Sequence, residues 1–220
     1  MKKIIIFAVL ICVLPLFAAG DVNKIVEKFT KEKGFSTLDE VYDFKMSGKT
    51  QSRDKTFYFH FYFLKPNYYR MNVTGVGASL YMVFDGKKGW NKQNVMPTFP
   101  LDPRTQELLF SFADFFFSPA YNIELNKYKF KYDSLSKFGG RDVYKISRID
   151  SNGIFMDMLI DKSNYELLKS EEFIDIDGNG ILSSIVYDKY REINKIKIPM
   201  EIEHTFNGEI SKHTVDSVSF

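Results

Sequence analysis

Phe57-Tyr58-Phe59-His60-Phe61-Tyr62-Phe63-Leu64 places four phenylalanines at alternate positions, with Tyr58, His60, Tyr62 and Leu64 between them. Side chains of an extended strand point to opposite faces with period two, so this stretch reads as a strand with one greasy face and one wetter face. The same period recurs along the chain. Tyr128, Phe130 and Tyr132 alternate with lysines, Ile154, Met156, Met158 and Ile160 with Phe155, Asp157, Leu159 and Asp161, and Ile196, Ile198, Met200 and Ile202 with Lys197, Pro199, Glu201 and Glu203. Shorter candidate strands lie at 42–48, 68–73, 80–84, 143–149, 168–174, 181–187 and 214–218.

Polar or glycine-bearing turns separate these runs, among them Asp85-Gly86-Lys87, Gly139-Gly140 and Asn207-Gly208. About ten to eleven strands joined by short turns predict a mainly β (α+β) fold, an antiparallel meander that curls into a barrel. Two helical segments interrupt it. Asp21 to Lys33 reads as a short N-terminal helix, with Ile25, Val26 and Phe29 on one side and Gly34 at its end. Between Pro97 and Tyr121, Leu108, Leu109, Phe112, Phe115 and Phe116 recur at helical spacing, too greasy for a solvent-facing helix. Such a helix should lie across the open face of the sheet. It would cover a filled core or close over a space as a lid, and the sequence leaves both open.

The first twenty residues are expected to be a signal peptide. Lys2 and Lys3 precede an apolar run from Ile4 to Phe17, and Ala18-Ala19-Gly20 offers the small residues that cleavage requires. An uncleaved anchor is the alternative, against which the shortness of the run counts. Residues 21–220 then form a single domain. Cys12, the chain's one cysteine, falls inside the apolar run, where Ile11 is too bulky for a lipoprotein cleavage site. The mature domain is thus expected to have no thiol and no disulfide. Removing Lys2 and Lys3 from 30 bases leaves 28 against 28 acids. That balance argues against nucleic acid, whose binding runs on clustered positive charge, and offers no global attraction to anionic membranes. Aromatics make up 16% of the chain, and 22 of its residues are Phe; that many rings need a core or a cavity to line.

Signs of catalysis or metal binding are lacking. His60, His204 and His213 are not spaced as metal ligands. No serine sits in a nucleophile elbow, and no glycine loop is built to cradle phosphate. Asp175-Ile176-Asp177-Gly178-Asn179-Gly180 copies the first half of a calcium loop, but the twelfth position is Val186 where a bidentate Glu belongs. It reads as a hairpin turn. Neither an enzyme activity nor a metal or other cofactor is expected.

With these pieces in order, the chain resembles the LolA-like family of periplasmic lipoprotein-sorting proteins. An N-terminal helix precedes the first strand. Phe63-Leu64-Lys65-Pro66-Asn67-Tyr68-Tyr69-Arg70-Met71 is similar to the family's strand, basic-Pro turn and aromatic strand. Val83-Phe84-Asp85-Gly86-Lys87-Lys88-Gly89-Trp90 is similar to its strand, Asp-Gly-Lys turn and Trp, and Gly140-Arg141-Asp142-Val143-Tyr144-Lys145-Ile146 to its Gly-basic-x-Val-Tyr strand. Ile160-Asp161-Lys162-Ser163, Tyr190-Arg191 and Ile198-Pro199 fit the broader group, so the likeness spans nearly the whole mature chain. The resemblance implies an incomplete antiparallel barrel with helices plugging its mouth. It also implies a cavity that takes lipoprotein acyl chains from an inner-membrane transporter and passes them to an outer-membrane acceptor. In the family an arginine before the turn proline latches the lid; here Lys65 holds that place, and lysine lacks the planar fork.

The function expected is therefore that of an exported, soluble, monomeric periplasmic carrier of lipoprotein acyl chains or another lipid. An exposed acyl chain costs ~0.8 kcal/mol per CH₂, so a lipid anchor needs shelter to cross water. The expected wall comprises Phe57, Phe59, Phe61, Phe63, Tyr128, Phe130 and Tyr144, with Met156, Met158, Ile198 and Met200, whose methionines are flexible enough to adapt to cargo. Leu108, Leu109, Phe112, Phe115 and Phe116 are the expected lid, and Lys65 the candidate latch. Two rival classes are an exported module with a packed core that binds something other than lipid, and a small outer-membrane β-barrel. The lysines at 127, 129 and 131 and Glu201 and Glu203 weigh against the barrel, because lipid would penalise them on an outer wall.

Overall fold

The computed structural model describes residues 22–34, 43–64, 68–85, 87–101, 129–149, 155–176 and 179–220. Helix α1 runs from Val22 to Lys33 and buries Ile25, Val26 and Phe29, the face the sequence marked out, together with Lys33. Gly34 ends it at φ 81°, its amide donating to the Lys31 carbonyl at 3.0 Å. Only glycine fits there. A Cβ on Gly34 would sit 1.9 Å from the carbonyl oxygen of Lys195, so the helix end presses directly on the backbone of a distant turn.

Among the described residues thirteen strands follow: β1 (Asp43–Ser52), β2 (Lys55–Leu64), β3 (Tyr68–Gly75), β4 (Ala78–Asp85), β5 (Gly89–Gln93), β6 (Phe99–Pro100), β7 (Lys129–Phe138), β8 (Arg141–Ile149), β9 (Phe155–Asp161), β10 (Leu167–Ile176), β11 (Asn179–Ile193), β12 (Ile196–Phe206) and β13 (Glu209–Ser219). Every element of the expected meander is present. The two additions to the expected count are β5, which is short and largely polar, and β6, which is only two residues long, so neither shows an alternation. The Asp175 turn is a hairpin, with Asp175 opposite Gly180 and Ile176 opposite Asn179 in the β10–β11 ladder.

All thirteen strands belong to one sheet, in the order β6-β5-β4-β3-β2-β1-β13-β12-β11-β10-β9-β8-β7. Each strand pairs with its neighbour in sequence except at one place: β13 returns to pair antiparallel with β1 in the middle of the sheet. Among the described strands the edges are therefore β6 and β7, which do not pair with one another. The sheet is open, an incomplete barrel. Residues 102–128, which join the two edges and carry the expected lid, lie outside the described residues, as does the expected signal peptide.

Twelve gaps of about 4.8 Å would make a flat sheet nearly 60 Å wide. Yet a single apolar cluster joins α1 to Phe44, Phe61 and Tyr69 on one half of the sheet and to Met158, Ile185 and Ile198 on the other. The sheet must curl to bring these together. Irregular registers between Ser47 and Gly48, Tyr132 and Ser134, and Leu167 and Lys169 supply bends, since an extra residue in one strand turns it away from its partner.

The side facing away from the helix is charged over β8 to β13. Lys145 pairs with Asp157 at 2.7 Å, Lys189 with Glu201 at 2.6 Å, and Lys212 with Glu203 at 3.2 Å. This surface is unlike the apolar outer band of a membrane barrel.

Candidate hydrophobic binding face

Ladder pairing puts partners on the same side of a sheet, so the inward face can be followed row by row. One row crosses β13 to β4 as Val218, Met46, Phe61, Met71 and Met82. The next crosses β1 to β4 as Phe44, Phe63, Tyr69 and Phe84. Neighbouring rings in this second row make tilted contacts: Phe63 and Tyr69 centroids are 5.2 Å apart, and Tyr69 and Phe84 6.2 Å. Such aromatic pairs attract beyond the area they bury. Gly48 belongs to the same face, and its missing side chain makes room. A Cβ there would lie 2.6 Å from Cζ of Phe59 and 2.1 Å from the Thr214 carbonyl oxygen.

On the opposite half, Tyr132, Ile146, Met158 and Ser170 form a row across β7 to β10. Ile196, Ile198, Met200 and Ile202 line β12, all buried. Six of the chain's eight methionines (Met46, Met71, Met82, Met156, Met158 and Met200) are buried in or packed against this inward cluster. Thioethers on unbranched stems can re-pack around guests of different shape, which a face of branched residues does less readily.

Most of the wall residues expected from sequence stand on this face. Phe59, Phe61 and Phe63 are 3%, 1% and 8% exposed, and Met156, Met158, Ile198 and Met200 are likewise buried. Phe57, Phe130 and Tyr144 are half-buried, the last two packed against the cluster. Tyr128, Leu108, Leu109, Phe112, Phe115, Phe116 and Lys65 lie outside the described residues. Sequence reading missed Phe44, Met46, Tyr69, Met71 and Phe84. The signal was available, since Phe44 and Met46, Tyr69 and Met71, and Met82 and Phe84 each alternate within the short strands at 42–48, 68–73 and 80–84.

An apolar cleft of about 330 Å³ opens where β1 to β4 meet at the end of the aromatic row, with Phe44, Phe63, Tyr69 and Phe84 in its wall and Lys45 and Arg70 at its lip.

Buried titratable groups flank the face. His213 accepts or donates a hydrogen bond with Thr50 Oγ1 at 2.9 Å. Burial, helped by the nearby His204, pushes its pKa down to about 4. Ser183 meets His204 Nε2 at 3.0 Å, and burial lowers the pKa of His204 too. At the helix end, burial brings Lys33 down to about 7 despite the opposing pull of Glu166. Its ammonium lies 4.3 Å from the centre of the Tyr190 ring and donates to the Lys197 carbonyl at 3.5 Å. The Tyr190 hydroxyl donates to the Leu167 carbonyl at 2.7 Å. Among the described residues no His, Cys, Asp and Glu group could hold a metal ion, and no helix is long and apolar enough to cross a membrane.

No family model matches the chain, and no curated protein matches it. Solved structures do. A domain described as that of an outer membrane lipoprotein-sorting protein from Vibrio parahaemolyticus superposes with a TM-score of 0.60 at 16% identity, over 91% of this chain and 93% of that one. A DUF1329 family protein from Desulfovibrio piger gives 0.60 at 10% identity, over 90% and 92%. A LolA superfamily protein from Nitrosomonas europaea gives 0.58 at 12% identity, over 90% and 92%. At these identities the likeness concerns the fold: this chain has the architecture of LolA-like proteins, as its motifs suggested.

Proposed function

We propose that this protein is an exported carrier that shelters the acyl chains of a lipoprotein or another lipid against the inward face of its open sheet. The observation that carries this reading is the continuity of that face, with rings and thioethers in unbroken rows from β1 through β4. The LolA-like architecture supports it. Hydrocarbon moved from water to such a face gains ~0.8 kcal/mol per CH₂, and no catalytic step is needed. In this reading residues 1–20 are a cleaved signal peptide, and the mature domain works as a periplasmic monomer. Phe57, Phe59, Phe61, Phe63, Tyr128, Phe130, Tyr144, Met156, Met158, Ile198 and Met200 form the wall. Leu108, Leu109, Phe112, Phe115 and Phe116 cover it, and Lys65 latches the cover. An inner-membrane transporter loads the carrier and an outer-membrane acceptor unloads it.

A second reading, a packed module for a non-lipid partner, draws on the near-complete burial of Phe61 and Met158. Native mass spectrometry of the detergent-free protein separates the two. Lipid adducts that disappear on solvent extraction, with uptake of a fluorescent fatty acid by the stripped protein, are the carrier's result. A single apo mass with no uptake is the packed module's.

A further inference from the structure

The strands that turn their phenylalanines inward carry a second, different surface on their outer side. One outward row crosses β1 to β5 as Lys45, Tyr62, Arg70, Val83 and Trp90, and the next as Ser47, His60, Asn72, Tyr81 and Lys92. Arg70 lies over both tyrosines, 5.3 Å from the Tyr62 ring centre and 4.9 Å from that of Tyr81. Tyr58 and Tyr68 stand largely exposed beside them. Beyond this face the turn from β5 to β6 holds apolar side chains out in water: Val95 is 99% exposed, Met96 53% and Phe99 49%. Scattered single exposures of this kind are ordinary, but three within five residues at one tip are not. The turn is held in place by Asn94, whose amide donates to the Ser79 carbonyl at 2.9 Å while its Oδ1 accepts from the Ser79 amide at 2.6 Å.

Charge is as unevenly placed as the rings. Residues 55–100 contain six bases (Lys55, Lys65, Arg70, Lys87, Lys88 and Lys92) and one acid, Asp85, in a chain whose overall charge is only +2. That acid is turned to its own loop, accepting from the amides of Lys87 at 2.9 Å and Lys88 at 2.8 Å. On β8 to β13, by contrast, outward lysines are matched by Asp157, Glu201 and Glu203. The outward rows of β1 to β5 carry Lys45, Arg70 and Lys92, of which Lys45 meets Asp43 at 3.8 Å, and the turn before β5 adds Lys87 and Lys88, whereas the outer side of β8 to β13 is charge-paired.

We propose that the outward face of β2 to β5, with the Val95–Met96 tip, is a docking surface for an anionic phospholipid bilayer. Amphipathic Tyr and Trp rings beside Lys and Arg are what a membrane–water interface selects, the rings at headgroup depth and the bases on the phosphates. An exposed apolar tip then has a destination that a purely polar partner would not offer. The surface lies on the opposite side of the strands from the hydrocarbon-binding face, so it does not depend on the cargo reading.

Trp90, the chain's one tryptophan, stands on this surface and reports on it directly. The experiment floats the mature chain, residues 21–220, with phosphatidylcholine vesicles, with and without phosphatidylglycerol, while following Trp90 emission. The wild type is expected to float with the anionic vesicles only, more weakly as salt screens the bases, with Trp90 shifted to the blue. Arg70→Gln with Lys92→Gln should weaken binding about fivefold for each base removed. Val95→Asp with Met96→Asp should abolish the blue shift. Both doubles should keep the wild-type circular dichroism, and Val95→Asp with Met96→Asp should keep fatty-acid uptake as well; should either fail to fold, the salt dependence and emission of the wild type decide. Absence of flotation, equal binding to neutral vesicles, or binding that neither folded double alters would overturn the proposal. Capture by polyglutamate without vesicle binding would assign the surface to an acidic protein and overturn it equally.

Discussion

Lys33 sits where the helix end meets the turn between β11 and β12, and burial there disfavours its charge. Between its folded value of about 7 and its ordinary 10.5, the unfolded chain holds a proton that the folded chain has released. Stability therefore rises with pH across that window, by at most about 1.4 kcal/mol per pH unit. Lys33→Met should be more stable than the wild type at neutral pH and should lose that alkaline rise, as read by urea melts at stepped pH. His213 acts at the acid end. Its folded value of about 4 lies below the ordinary 6.5, so the unfolded chain takes up a proton that the folded chain refuses. Stability is lost as pH falls from 6.5 towards 4. His213→Gln should flatten that limb and leave the contributions of His204 and of carboxylates held low, such as Asp133 and Asp161; an unchanged acid limb would show that His213 does not titrate this way.

Strand β2 carries two surfaces of opposite use. Its inward Phe59, Phe61 and Phe63 bury almost fully, whereas Tyr58 on the outward side is 55% exposed. Phe61→Ala should cost about 3–5 kcal/mol, through lost transfer energy and the cavity left behind, while Tyr58→Ala should change stability by no more than about 0.5 kcal/mol. Chemical melts of the two variants check this, and similar losses would mean that the faces are not divided as described. This division was legible because the period of two runs unbroken through β2, β9 and β12. It was not legible where the period slips. Continuing from Phe130 and Tyr132 would carry Ser134 inward, but the irregularity at Asp133 sets Ser134 opposite Lys145 and Leu135 opposite Tyr144. A slip of this kind changes which side a residue faces without changing the composition. Strand β5 escaped for another reason: Asn91, Lys92 and Gln93 are polar on both faces, and only pairing with β4 makes them a strand. Likewise, the outward bases on β1 to β5 were hidden in a balanced total charge and emerged only once pairing put Lys45, Arg70 and Lys92 on one side.

Closure of the chain through the middle of the sheet, β13 upon β1, gives the molecule its character. It leaves β6 and β7 as the edges of the described strands, so the meander does not seal into a barrel through them. An open sheet with a greasy concave side is the arrangement a hydrocarbon carrier requires, and the polar, ion-paired outer wall of β8 to β13 keeps the opposite side in water. The measurement that bears on this most directly is photocrosslinking with a fatty acid carrying a diazirine near its methyl end, followed by peptide mapping. Adducts should fall on inward residues from both halves of the sheet, Met46, Phe61 and Met71 with Met158 and Met200, and an unlabelled fatty acid should compete them away. Adducts confined to outward side chains such as Tyr58 or Trp90, or labelling that no competitor reduces, would contradict the account.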